Sequence, residues 1–428
     1  MLKQSFILIF GKIVAAALGL VSGIFLARIL GPEKLGQYQI FISTQTVLIT
    51  AVTLGIGNSS IYFINKNKIT EKAVVSSFLK IFIILAIISC IVFYIIVYNS
   101  TDYFGKIEKG GFILFLLGTA SLIIISILRP ILFVRKKVLQ ITWINLLPSI
   151  FLIIGVIGLV IVQKLSVFNV LSIWGIGNFI ALIFSLLYHK HNISFNEKIK
   201  LKNILDVSFY GIKLSASNLL FILISNTSIF FINKISVGGF ADVGLYSRAI
   251  AISSIVYMIP TAVGPLLFSR WSANLDKKEY KNEIQKTLRV FNTLSIVVII
   301  IGIIFSNNIL QILYGIEFIS AHNTLIILLL SLMFQVRSEV FNNYLASQGK
   351  AMLTMYSLLI TFFFIIVGNM ILIPIYGISG AAIAVLISSI VNSLILYLFV
   401  NKEIKIGFIN SLFINKEDLN YLVKKIKL

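Results

Sequence analysis

The feature that most constrains this chain is a succession of apolar runs, each about 20 residues long, separated by short charged or Gly/Pro-marked breaks. A helix that crosses a hydrocarbon core of about 30 Å needs about 20 apolar residues, so each run is long enough to span a membrane. About twelve runs are present, near 6–30, 37–63, 74–98, 111–133, 138–162, 168–188, 208–233, 243–268, 289–306, 320–345, 351–374 and 378–400. Composition agrees: 58% of the 428 residues are hydrophobic, 12% are charged and the mean hydropathy is +1.02, which excludes a water-soluble enzyme. A lone cysteine, Cys90, excludes an internal disulfide framework and a cysteine metal cluster. Three scattered histidines, His189, His191 and His322, are too few for a zinc or haem centre, so no metal is expected. The first run has an n-region lysine and Ala15-Ala16-Ala17, as a cleaved signal peptide would, yet it continues apolar to Leu30.

Charge sets the orientation. The chain carries 36 Lys and Arg against 15 Asp and Glu, a net +21, which in a polar protein would suggest nucleic acid. In a chain of membrane spans it suggests cytoplasmic loops instead, and no nucleic-acid partner is expected. With the N-terminus inside, 24 of the basic residues fall in cytoplasmic segments and 6 in the opposite ones, the other 6 lying in or at the edge of spans. This places both termini in the cytoplasm of a multi-pass membrane protein. The basic amphipathic tail, 401–428, suits an anionic inner leaflet, making membrane lipids a second class of partner.

An internal repeat suggests two halves. Leu35-Gly36-Gln37-Tyr38 opens the second span and Val243-Gly244-Leu245-Tyr246 opens the eighth, 208 residues later. Gly11-Lys12 has a looser echo in Gly211-Ile212-Lys213. The division expected is an N-terminal six-helix bundle over 1–188, a basic cytoplasmic linker over 189–207, a C-terminal six-helix bundle over 208–400 and the tail.

Three stretches carry a family resemblance. Ala27-Arg28-Ile29-Leu30-Gly31-Pro32-Glu33-Lys34-Leu35-Gly36-Gln37-Tyr38, then Val243 to Tyr246, then Ile373-Pro374-Ile375-Tyr376-Gly377-Ile378-Ser379-Gly380-Ala381-Ala382 resemble signatures of the polysaccharide-biosynthesis flippases. These are the O-antigen or Wzx-type members of the multidrug/oligosaccharidyl-lipid/polysaccharide exporter superfamily, which also contains the MATE transporters. The resemblance reaches over nearly the whole chain. It implies an all-α membrane protein of two pseudo-symmetric six-helix bundles in a V, moving an undecaprenyl-diphosphate-linked oligosaccharide outward by alternating access. One departure stands out: relatives carry an acidic residue midway along span seven, where this chain reads Ser225-Asn226-Thr227-Ser228. That puts ion coupling at this position in doubt.

Independently of the resemblance, ionisable residues inside the spans point to chemistry, since each costs about 2.5–3.5 kcal/mol at a helix centre on the insertion scale. Lys12 shares a helix face with Ala16, Gly19 and Gly23, so it borders a small-residue groove or snorkels to the interface. Gly19 and Gly23 also form a GxxxG, a motif of close helix approach. Lys213 opens a span rich in Ser215, Ser217, Asn218, Ser225, Asn226, Thr227, Ser228 and Asn233, which faces either a wet cavity or hydrogen-bonding neighbours. Arg28 and Arg248 stand near the outer ends of spans one and eight, as substrate cations or interfacial anchors. Lys12, Arg28, Lys213 and Arg248 are the candidates for binding a diphosphate. Glu339, the one carboxylate well inside a span, and Arg337 are the candidates for coupling or gating. They are two residues apart, on different faces, and Glu339 could instead pair with a cation on another helix. Arg129 and Lys80 lie within snorkelling reach of the surface and receive no role. Pro260, Pro265 and Pro374 can kink their helices.

Three classes compete. A flippase for an anionic lipid-linked sugar suits cations on several spans. A cation-coupled MATE-type drug exporter would need membrane carboxylates, and spans one and seven hold none. A membrane enzyme would need a sizeable outer loop with carboxylates or histidines, and the outer segments are short. The reading is therefore a transporter without covalent chemistry or cofactor, driven by H+ or Na+ coupling or by the membrane potential. Its partners are the lipid-linked oligosaccharide and proteins of polysaccharide assembly.

Overall fold

A computed structural model describes residues 2–66, 68–190, 200–272 and 276–407, with backbone alone at 2–10, 12, 13 and 277. The described residues are helical almost throughout: α1 Leu2–Thr53, α2 Ile56–Asn65, α3 Glu71–Asn99, α4 Thr101–Phe104, α5 Lys109–Val134, α6 Val138–Ile161, α7 Val167–His189, α8 Leu201–Ile235, α9 Phe240–Trp271, α10 Lys277–Tyr314, a 3₁₀ turn Ile316–Ala321, α11 His322–Ser347 and α12 Ala351–Ile404. Ten helical stretches among them are long and apolar enough to cross a membrane.

Two of those stretches are too long for one crossing. α1 has 52 residues and α12 has 54, or about 78 and 81 Å at 1.5 Å per residue. Each is broken where the sequence places a break. Gly31, at φ 69° and ψ 176°, adopts backbone that only glycine takes without strain, and Pro32 starts the next segment with its φ already set. Gly377, at φ 57° and ψ −136°, does the same three residues after Pro374. Divided there, the helices match the twelve apolar runs. The second run also bends at Gly55, φ 66°, before continuing as α2.

The described chain forms two compact units, Met1–Asn226 and Thr227–Leu428. The division falls inside α8 and not in the 189–207 segment, of which 191–199 lie outside the described residues. Packing explains the position. The first half of α8 belongs with α2, where Ser59 Oγ donates to Val207 O at 2.9 Å and Tyr62 stacks on Tyr210 with centroids 4.8 Å apart.

In the N-terminal unit, α5 and α7 touch backbone to backbone at Gly118 and Gly175, where any added Cβ would collide. Phe41, Phe93, Phe104, Phe112, Phe115 and Phe168 fill one end of this core. A buried relay crosses its middle: Trp174 Nε1 donates to Gln45 Oε1 at 3.1 Å and Gln45 Nε2 to Thr119 Oγ1 at 2.8 Å. Pairing these groups inside the unit removes the cost of burying them. In the C-terminal unit, Trp271, Tyr280, Phe341 and Tyr344 knit the ends of α9, α10 and α11. Arg270 forms a bidentate pair with Glu283, whose carboxylate also accepts from Trp271 Nε1 at 3.1 Å. The face of α3 bearing Ile84, Ile87, Ile88, Ile91 and Ile95 is exposed at helical spacing, as contact with hydrocarbon requires.

Candidate functional site

The site candidates of the N-terminal unit lie on α1 and α8. Lys12 is on the helical backbone of α1, and its side chain lies outside the described residues. Arg28 is sixteen residues further along the same segment, which at 100° per residue places the two about 160° apart. They therefore head opposite faces of one helix. Arg28 is exposed and shares its face with exposed Ala17, Val21 and Phe25. Gly19 has open space where a Cβ would be, so the GxxxG does not mark a close helix contact there. Close approach on α1 falls instead on Gly11, whose Cβ position lies 2.5 Å from Thr142 Cγ2 of α6.

Lys213 is exposed on α8, two residues beyond Gly211, which packs against the bend at Gly55. Three of the polar side chains that follow turn back on their own helix. Ser215 donates to Gly211 O at 2.9 Å, Ser225 to Phe221 O at 2.8 Å and Asn226 to Ile222 O at 2.8 Å. Tyr210, Leu214, Asn218, Phe221 and Ser225 make one exposed stripe. An amide and a hydroxyl exposed in the middle of a span suit a wet face better than lipid.

In the C-terminal unit Arg248 is buried, at 8% exposure, with its guanidinium 5.6 Å from the centroid of the Tyr314 ring and Nε donating to Ser247 Oγ at 3.4 Å. The side chain is covered by protein, and cation–π attraction to Tyr314 offsets part of the desolvation.

Glu339, half-buried on α11, accepts from Tyr257 Oη of α9 at 3.0 Å and from Asn343 Nδ2 at 3.0 Å. Among the described residues these two partners are neutral. Gly264 makes room for the pair: a Cβ there would lie 3.3 Å from Glu339 Oε1 and 3.0 Å from Asn343 Nδ2. Arg337, at 2% exposure, lies on the other side of α11. The structure thus separates Arg337 from Glu339, as their spacing requires. Tyr257 is the member of this group that sequence reading missed, and its signal is a phenol in mid-span one turn before Pro260.

Arg129, expected to have no role, donates from Nη1 to Asn145 Oδ1 of α6 at 2.9 Å.

A family model described as "Polysaccharide biosynthesis protein" matches residues 1–271, more than half of the chain, and one described as "MatE" matches 214–371. A Shigella flexneri protein described as a "Putative O-antigen transporter" is 30% identical over 149 residues, which cover 32% of this chain and 34% of that protein. The match thus spans about a third of the relative's length. Among solved structures, "Lipid II flippase MurJ, inward closed conformation" superposes with a TM-score of 0.78 at 18% identity, covering 98% of this chain and 91% of that one. An inward-facing MATE transporter of the MOP superfamily gives 0.75 at 16% identity, covering 91% and 94%. A MOP superfamily transporter from Pyrococcus furiosus gives 0.68 at 14%, covering 94% and 95%. At these identities the structures speak for the fold alone. With its apolar helices and the match over more than half its length, the chain is a multi-pass membrane protein that belongs to the polysaccharide biosynthesis protein family and has the MOP superfamily fold.

Proposed function

We propose that the chain is a flippase that carries a polyprenyl-diphosphate-linked oligosaccharide from the inner to the outer leaflet of the bacterial cytoplasmic membrane. The observation that carries this reading is the sign of the charge within the spans. Lys12, Lys213, Arg129, Arg248 and Arg337 lie along the helices, against Glu339 as the carboxylate deep in a span. Cations in a low-dielectric setting hold a diphosphate and repel organic cations. The O-antigen description of the Shigella relative and the lipid II description of the first solved neighbour support a lipid-linked saccharide. Arg28, Lys213 and Arg248, with Lys12, are the side chains assigned to the diphosphate, and Glu339 with Arg337 to coupling or gating. Both termini are cytoplasmic in this reading.

The "MatE" match over 214–371 favours a second reading, a cation-coupled drug exporter, because that stretch contains Glu339. One experiment separates the two. Proteoliposomes containing the purified chain should bring a short polyprenyl-diphosphate oligosaccharide within reach of an external glycosidase and leave a cationic dye where it is. Dye movement without exposure of the saccharide would replace the first reading by the second.

A further inference from the structure

α7 ends on a buried histidine. The apolar run of this helix closes at Tyr188, and a basic side chain just beyond such a run ordinarily reaches water, as exposed Lys190 does. His189, between the two, is instead 0% exposed. Its Nδ1 lies 2.9 Å from Ser185 O, one turn back on the same helix. A carbonyl only accepts, so Nδ1 carries a proton, and in the neutral ring Nε2 holds the lone pair. Nε2, the atom that would take up a second proton, is enclosed as well.

The residue before His189 is fastened to two other helices. Arg135, at the end of α5, donates from Nη1 to Tyr188 O at 3.5 Å and pairs through Nε with Glu71, the first residue of α3, at 2.5 Å. One guanidinium thus clasps the end of α7 to the end of α5 and the start of α3. Of the helices packed against α7, α5 ends at Arg135, α6 begins after Lys137, and α1 carries no charged residue between Lys34 and its end at Thr53. Lys72, Lys136 and Lys190 are exposed, as are Lys202 and Asp206 at the start of α8. Burial is the main obstacle to a positive imidazole at 189; the Ser185 carbonyl favours one, and Arg135 and Lys137 oppose it. Glu71, the carboxylate of the clasp, already serves Arg135.

We infer that His189 is a proton-operated fastener within the N-terminal unit: the neutral ring stays packed and keeps the end of α7 clasped to α5 and α3, and protonation drives the ring out to water and frees that end. The packed ring excludes the second proton, whereas a released ring takes it up near the ordinary histidine value of about 6.5. The released state therefore binds more protons, and acid favours it. From about pH 7.5 to about pH 5.5 its population should rise about tenfold. The fastener stands independently of the transported substrate.

The test is hydrogen exchange of the purified full chain in phosphatidylcholine nanodiscs, read by mass spectrometry over residues 183–190 and corrected for the intrinsic pH dependence of exchange. Protection of these amides should fall about tenfold across that pH interval. His189→Gln, which stays neutral, should lose the response, and His189→Lys should be poorly protected at both pH values. Glu71→Gln opens the clasp without touching the imidazole, so it should lower protection at both pH values and keep the response. Unchanged wild-type protection in acid would overturn the fastener, as would a response that survives in His189→Gln or disappears in Glu71→Gln. A second measurement needs no substitution at 189. In a chain carrying His191→Gln and His322→Gln, the remaining imidazole reports its own protonation by NMR, and its midpoint should coincide with the loss of protection. A ring that titrates with no change in exchange would also overturn the proposal.

Discussion

Glu339 of α11 is held between Tyr257 of α9 and Asn343 one turn along its own helix, with both donors 3.0 Å from its carboxylate. The contact joins α11 to a weak stretch of α9. Pro260 and Pro265 lack the N–H that would complete the helix ladder there, Gly264 between them has no side chain, and Thr261 Oγ1 donates to Tyr257 O at 3.2 Å and Met258 O at 2.9 Å. Both donors are neutral groups.

Glu339→Gln should therefore abolish export, with protein levels unchanged, if transport is proton- or sodium-coupled through this group. Tyr257→Phe removes one hydrogen bond to a charged acceptor, a contact of about 1.5–3 kcal/mol, and should slow export on the order of tenfold or more. Transport in proteoliposomes with an imposed pH or sodium gradient measures both. Full activity of Glu339→Gln would point to a drive by membrane potential or by the substrate gradient.

Lys12→Ala, Arg28→Ala, Lys213→Ala and Arg248→Ala should each lower surface polysaccharide and leave lipid-linked intermediates on the cytoplasmic leaflet. Truncating one partner of a buried charged contact costs about 2–5 kcal/mol, or roughly 30-fold to several thousand-fold in affinity. Arg248→Lys should keep part of the activity, because positive potential is retained while the guanidinium contact with the Tyr314 ring is lost. Normal surface polysaccharide in all four alanine variants would remove these cations from the mechanism.

Gly118→Val should destabilise the N-terminal unit without touching a charged group. The new side chain would be driven into Gly175 of α7, an overpacking that costs about 1–3 kcal/mol or more. Thermal unfolding in detergent should show a lower midpoint than for Gly110→Val, at a position with open space. Equal midpoints would mean that α5 and α7 do not meet there.

Topology can be read with single cysteines in a Cys90→Ser background. Lys68→Cys and Lys106→Cys both sit at exposed positions between helices. The charge distribution predicts that an impermeant thiol reagent labels position 106 in intact cells and position 68 only after permeabilisation. The reverse pattern would invert the orientation.

Some properties of this protein follow from its sequence alone, because they depend on local chemistry. An apolar run of about 20 residues can satisfy its backbone in lipid only as a helix. A glycine beside or shortly after a proline position interrupts a helix, so the breaks at Gly31, before Pro32, and Gly377, three residues after Pro374, were legible as breaks between runs. The opposed faces of Arg337 and Glu339 needed only the helical period. What required the tertiary structure was the identity of partners. No spacing rule connects Glu339 to Tyr257, 82 residues earlier, or places Tyr314 under Arg248. Those pairings arise from how helices cross, with Gly264 of α9 leaving room for the Glu339 and Asn343 side chains of α11. The same holds for Arg129. No count along the sequence pairs it with Asn145, which only the packing of α6 beside α5 brings within 2.9 Å of its guanidinium.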